Sequence, residues 1–244
     1  MSSNNLKTAI LFQMFARLLT FAMNNLITRH TLASQLGLIS MKLDLFGNTI
    51  LSLARDGVSL AVLRVKGKGG AWISVPLTIF IGAICTLLTL KYTTEPSLIP
   101  FFPQFRQAVF SYYFAAILES LTESSAADLI MKQEMKKKVL IESMALIFRI
   151  AIVLRGILKE ENVQIDGLMM AFSKGQVVYA VCLNVFHFLF NKTTLLSTSL
   201  PSKELIVLTW SLTCQTFFKY FLAQGDMFVI GNFSANLSDQ GVYT

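Results

Sequence analysis

The sequence predicts an all-α integral membrane protein, on three observations. Its mean hydropathy is +0.59, with 54% hydrophobic and only 14% charged residues, outside the range of soluble domains. The 244 residues contain seven apolar runs of about twenty residues, the length a helix needs to cross roughly 30 Å of hydrocarbon. The basic excess behind the net charge of +7 collects in short connections between those runs, where Lys and Arg set membrane topology. That placement removes nucleic acid as the reason for the charge.

Span 1 covers residues 7–27, and on a helical wheel Gln13, Arg17, Thr20 and Asn24 fall within about 60° of one another. Span 2, residues 43–63, carries the sharper signal. Asp44, Asn48, Ser52, Arg55 and Ser59 form one stripe within about 80°, while Asp56 points elsewhere. An Arg near the bilayer centre costs roughly 2.5–3.5 kcal/mol on insertion scales, so the stripe is expected to face a bundle interior. The connection 64–70 is basic and glycine-rich but lacks the GxxxxGK[ST] pattern of a phosphate loop.

Span 3, residues 70–90, is the most uniformly apolar, and the prolines of 95–103 forbid helix before span 4 at 105–121. Tyr112, Glu119 and Glu123 share one side of span 4, since steps of seven and eleven residues return to nearly the same angle. Residues 124–138 are predicted to be a solvated helical extension laced by Asp128–Lys132 and Glu134–Lys138 pairs, ending in a cytosolic Lys136–Lys138 boundary. In span 5, residues 139–158, Glu142 and Arg149 share a face, and Arg155 is expected to reach for the far interface. Span 6, 168–190, carries Lys174 and the face Asn184, His187 and Asn191.

Residues 191–204, rich in Ser and Thr, form the main boundary. Span 7, 205–224, shows the stripe Ser211, Gln215 and Lys219, with Asp226 beyond it, and 227–233 reads as an incomplete further span. Loop charge orients the chain with its N-terminus and even loops cytosolic.

Hiding several polar stripes from lipid requires a shared internal chamber. Its midspan cations are Arg17, Arg55, Arg149 and Lys219, set against Asp44, Glu119 and Glu142. The planar donor fork of Arg suits phosphate oxygens, so an anionic, hydroxyl-rich cargo is expected. No enzyme motif is present and no catalytic residue is predicted; isolated Cys85, Cys182, Cys214, His30 and His187 suggest no metal or cofactor site.

The segments 15–29 (FARLLTFAMNNLITR), 52–64 (SLARDGVSLAVLR), 115–124 (AAILESLTES) and 219–243 (KYFLAQGDMFVIGNFSANLSDQGVY) resemble, in order and spacing, the Rft oligosaccharide-translocation family of the endoplasmic reticulum. That family lies within the multidrug/oligosaccharidyl-lipid/polysaccharide flippase superfamily. The resemblance implies a MATE-like architecture of two six-helix lobes around a central cavity. On that pattern residues 1–190 are the N-terminal six-transmembrane-helix lobe, 191–204 the inter-lobe linker and 205–244 the start of an incomplete C-terminal lobe. The chain thus reads as cut short, needing the rest of the protein or a second copy.

The implied function is movement of a dolichyl-diphosphate heptasaccharide from the cytosolic to the lumenal leaflet for protein N-glycosylation, with a non-transporting accessory of glycan assembly as the alternative. Arg17, Asn25, Arg55, Asp56, Glu119, Glu123 and Glu142 match the family's characteristic polar positions. Arg17 and Arg55 are the expected diphosphate contacts, with Asn24, Asn25 and Glu119 bonding sugar or bracing the cations, and Glu142, Arg149 and Lys219 completing the set. A competing arrangement pairs Arg17 and Arg55 permanently with Glu119 and Asp44. Where the family often has Pro after its second span-4 Glu, Ser124 follows Glu123, so no proline kink is expected.

Overall fold

The computed structural model of the chain describes scattered residues between 11 and 29, then 39–65, 70–92, 102–159, 165–191 and 201–233. The described residues are helical apart from short turns.

Helix α1 runs without interruption from residue 39 to 65, but not as one uniform α-helix. Two π-helical turns, Ile39–Asp44 and Ser52–Asp56, alternate with the α-helical Leu45–Leu51 and Gly57–Val65. The backbone stays right-handed through the junctions at Asp44 (φ −69°, ψ −40°) and Ser52 (φ −62°, ψ −42°). Each π turn widens the helix and breaks the regular 100° step. Asn48, predicted on the buried stripe, is exposed, and Ser52 is half-buried.

Helix α2 (Gly70–Tyr92) presents Ser74, Thr78 and Thr86 to the interior, all buried. The Ser74 hydroxyl donates to the Ser120 carbonyl at 3.0 Å, and a Cβ on Gly82 would collide with the Tyr113 ring. Small residues at steps of four let two membrane helices approach closely. Helix α3 (Phe102–Leu121) starts with Pro103 in its first turn, where the missing N–H costs nothing.

The helix breaks at Thr122 although no proline follows Glu123. Thr122 returns both its backbone N–H (3.1 Å) and its hydroxyl (2.8 Å) to the Glu119 carbonyl, a tightened turn that ends α3 and restarts the chain as α4 (Glu123–Met131). Helix α4 is not a solvated extension, since Glu123, Ser125, Ala127 and Leu129 are buried. It closes at Gln133, which sits in the left-handed region at φ 59°. There the Glu134 N–H reaches the Leu129 carbonyl (2.9 Å) and the Gln133 N–H that of Ile130 (3.0 Å), the paired closure that usually employs Gly. Asp128 pairs with Lys132 as predicted, at 2.6 Å. Glu134 takes Lys137 instead of Lys138, which pairs with Glu142 one turn further on.

Helix α5 (Met135–Lys159) packs along α6 (Ile165–Asn191), and α6 also lines α3. Helix α7 (Lys203–Phe233) crosses the second half of α1. A Cβ on Gly57 would lie 2.7 Å from the Thr213 Cα and 2.8 Å from its backbone nitrogen, so this crossing needs Gly. Residues 227–233 continue α7 instead of opening a separate span. One core joins Leu43, Phe46 and Ile50 of α1 to Phe105, Val109 and Tyr112 of α3; another joins Val58, Ala61 and Val62 to Leu205 and Leu212 of α7. Large apolar side chains such as Phe80, Leu87, Val207, Trp210 and Leu222 point outward.

Among the described residues three helices, over Trp72–Lys91, Gly167–Phe190 and Lys203–Met227, are long and apolar enough to cross a membrane. The charges that meet in the interior sit on α1, α3, α4 and α5.

Candidate functional site

The two internal charges of α1 are anchored at different depths. Arg55, in the second π turn, sends Nε to within 3.2 Å of Glu123 Oε2 and Nη1 to 3.8 Å from Glu119 Oε2. The carboxylates are almost wholly enclosed, at 3% and 5% side-chain exposure, whereas Arg55 keeps 35%. Further donors complete the carboxylates' partners. Ser59, one turn on from Arg55, donates its hydroxyl to Glu123 Oε1, and Gln176 of α6 donates Nε2 to Glu119 Oε1 at 2.7 Å.

Asp44, three turns earlier, accepts the Tyr112 hydroxyl at 2.9 Å and Arg149 Nη2 at 3.3 Å. Arg149 also acts electrostatically on Glu119, so the two clusters are neighbours. Lining up Tyr112 and Glu119 on α3, seven residues apart, is what aligns these clusters along the interior.

Next to the Arg55 cluster lies a pocket with about 420 Å³ of empty space, counting its open mouth. Arg55, Ser59 and Glu123 line one side, Lys138 and Glu142 of α5 another, and Tyr179 and His187 of α6 complete it. Lys138 Nζ is 3.4 Å from Glu142 Oε1, and His187 Nδ1 shares a 3.0 Å hydrogen bond with the Ser125 hydroxyl. The pocket thus presents two cation–carboxylate pairs with no excess of either sign. Buried carbonyl oxygens of the Gln176 and Asn184 side chains lack hydrogen-bond partners. Among the described residues no group of three or more His, Cys, Asp or Glu could hold a metal ion.

Of the residues the sequence singled out, Arg55, Glu119, Glu142 and Arg149 are brought into this interior. Lys219 is exposed on α7 and acts electrostatically on exposed Asp56. Arg17 and Asn25 are helical and exposed, and Asn24 lies outside the described residues. Of the competing arrangement, Arg55 does meet Glu119, while Asp44 is met by Arg149. A helical wheel fixes the face a charge occupies but not which neighbour stands opposite.

Gln176, Tyr179 and Lys138 were missed as members of the site. The first had a signal: the span-6 face defined by Asn184 and His187 extends back to it, because eleven residues return to within about 20°. Lys138, in a run of three lysines, reads from sequence as part of the boundary cluster.

The family described as Rft protein matches residues 1–244. The Man(5)GlcNAc(2)-PP-dolichol translocation protein RFT1 of Xenopus tropicalis is 26% identical over 268 residues, covering 96% of this chain and 48% of its own length. That of Mus musculus is 26% identical over 274 residues, covering 97% and 49%. That of Drosophila melanogaster is 26% identical over 174 residues, covering 67% and 31%. The chain therefore spans at most about half the length of these curated relatives. No solved structure matches it.

Proposed function

Because the chain belongs to the Rft protein family, we propose that it serves in moving a dolichyl-diphosphate-linked oligosaccharide, the heptasaccharide intermediate, from the cytosolic to the lumenal leaflet of the endoplasmic reticulum membrane for N-glycosylation. In this reading residues 1–190 form the N-terminal six-transmembrane-helix lobe of a MATE-like two-lobe flippase, 191–204 the linker and 205–244 the start of the second lobe. The N-terminus is cytosolic. The remaining lobe, or a second copy, closes the cavity, and no catalysis is involved. The relatives named as translocation proteins for Man(5)GlcNAc(2)-PP-dolichol support the cargo.

The observation that carries the reading is the enclosed Arg55–Glu119–Glu123 cluster opening onto a polar pocket among apolar helices. A diphosphate and many hydroxyls must cross hydrocarbon while the polyprenyl tail stays in lipid, and a lining of charges and hydroxyl-bonding groups replaces their water. Arg55 is the diphosphate contact on the pocket side. Glu119 braces it, Glu142 meets sugar hydroxyls, and Arg149 holds the adjoining wall through Asp44. Arg17, Asn24, Asn25 and Lys219 complete the lining from spans 1 and 7 when the second lobe is in place.

One observation favours the accessory reading: the internal charges are satisfied by one another, Arg55 by two carboxylates and Arg149 by Asp44. Reconstitution separates the two. Full-length protein in otherwise protein-free vesicles should move the dolichyl-linked glycan between leaflets. Movement at the rate of empty vesicles, with normal glycan routing restored only by co-purified partners, would establish the accessory role.

A further inference from the structure

The pocket beside Arg55 holds a second cation that the proposed cargo contacts do not use. Lys138, in the first turn of α5, lines the same pocket as Arg55 of α1, and its side chain is 23% exposed. Each cation is held by a carboxylate beyond the shortest charge-assisted distance. Lys138 stands 3.4 Å from a Glu142 that is 41% exposed, and Arg55 makes one close contact, with Glu123, and one of 3.8 Å, with Glu119. Charge-assisted hydrogen bonds at full strength lie near 2.7–2.9 Å. Neither pair is therefore at its optimum, and both cations line the same open-mouthed pocket.

We propose that Arg55 and Lys138 form a two-point clamp for a phosphate bearing a sugar, in which Glu123 and Glu142 occupy the anion's place until the ligand arrives. The proposal rests on the cargo reading above and adds to it a residue, Lys138, and an exchange. Phosphate oxygens take over the Arg55 and Lys138 donors. The released carboxylates then become acceptors for hydroxyls of the adjoining sugar, and Ser59, already donating to Glu123, holds that acceptor in place. The exchange keeps every charge in the pocket partnered before and after binding, which a low-dielectric site demands. It also explains why the pocket carries as many carboxylates as cations, a composition unsuited to simple anion attraction. Tyr179 and His187, on the α6 wall, offer ring surface and polar edges to the sugar.

The test is binding of N-acetylglucosamine 1-phosphate, inorganic phosphate and N-acetylglucosamine to the chain in phosphatidylcholine nanodiscs, followed by calorimetry. The sugar phosphate should bind more tightly than inorganic phosphate, and N-acetylglucosamine should not bind measurably. Lys138→Gln should weaken the sugar phosphate about tenfold, with Lys138→Arg restoring most of it. Glu142→Gln should tighten inorganic phosphate several-fold, since it removes the internal competitor. A merely structural Lys138–Glu142 pair predicts the reverse pattern: both variants melt earlier and neither alters phosphate affinity. That pattern, or equal binding of N-acetylglucosamine and its phosphate, would overturn the clamp. Glycan movement that persists without the clamp sinks this proposal and leaves the transport reading standing, whereas clamp binding without glycan movement does the opposite.

Discussion

Removing Arg55 by itself leaves Glu119 and Glu123, each 5% exposed or less, without their cation. Breaking one member of a buried charge cluster costs about 3–5 kcal/mol, because the remaining charges stay enclosed and unpaired. Arg55→Ala should therefore lower the unfolding temperature sharply in a detergent melt, and loss of function in that variant would say little about transport. Neutralising the whole cluster avoids the penalty. Arg55→Met combined with Glu119→Gln and Glu123→Gln keeps volume, leaves amides able to bond Gln176 and Ser59, and should melt close to the parent protein. A triple variant that unfolds as readily as Arg55→Ala would refute this account of the cluster's energetics.

At the scale of helices, the irregular turns can be tested one at a time. Gln133 closes α4 in a left-handed conformation that costs an L-residue of this kind on the order of 1 kcal/mol. Gln133→Gly should raise stability by about 0.5–1 kcal/mol in chemical denaturation, despite the usual entropic loss from added Gly. An unchanged or lowered midpoint would show that the closure is not strained. Gly57 is the opposite case: its Cβ would fall on the Thr213 backbone, so Gly57→Leu should drive α1 off α7 and cost at least 1–3 kcal/mol. Retained stability together with intact crosslinking between cysteines placed at residues 58 and 212 would contradict that packing.

Much of this was legible beforehand. The shared side of Tyr112, Glu119 and Glu123 follows from spacing alone, and all three do meet interior partners. The π turns were not legible, since no residue type in Ile39–Asp44 or Ser52–Asp56 demands them. The break at Thr122 carries no proline to signal it; the Thr hydroxyl bonding back to the Glu119 carbonyl serves instead.

For the molecule as a whole, the sequence marked where charge would hide but not how it would pair. Asp44 and Arg55 lie eleven residues apart on one helix, about 16 Å along its axis, so they cannot share a partner. Which cation met which carboxylate depended on the relative heights of α3 and α5, a quantity that no single helix encodes. Among the described residues three helices pass as spans on composition, while α1, α3 and α4 build the charged cluster. The central claim is that this cluster belongs to the cargo's path and is more than a brace between helices. The most direct measurement is the transbilayer rate of dolichyl-diphosphate heptasaccharide in vesicles holding the full-length protein with Arg55→Met, Glu119→Gln and Glu123→Gln together. The account predicts a folded protein that moves the glycan at least about tenfold slower than the parent, the loss expected when one charge-assisted phosphate contact disappears. A folded triple variant that moves it at the parent's rate would contradict the claim.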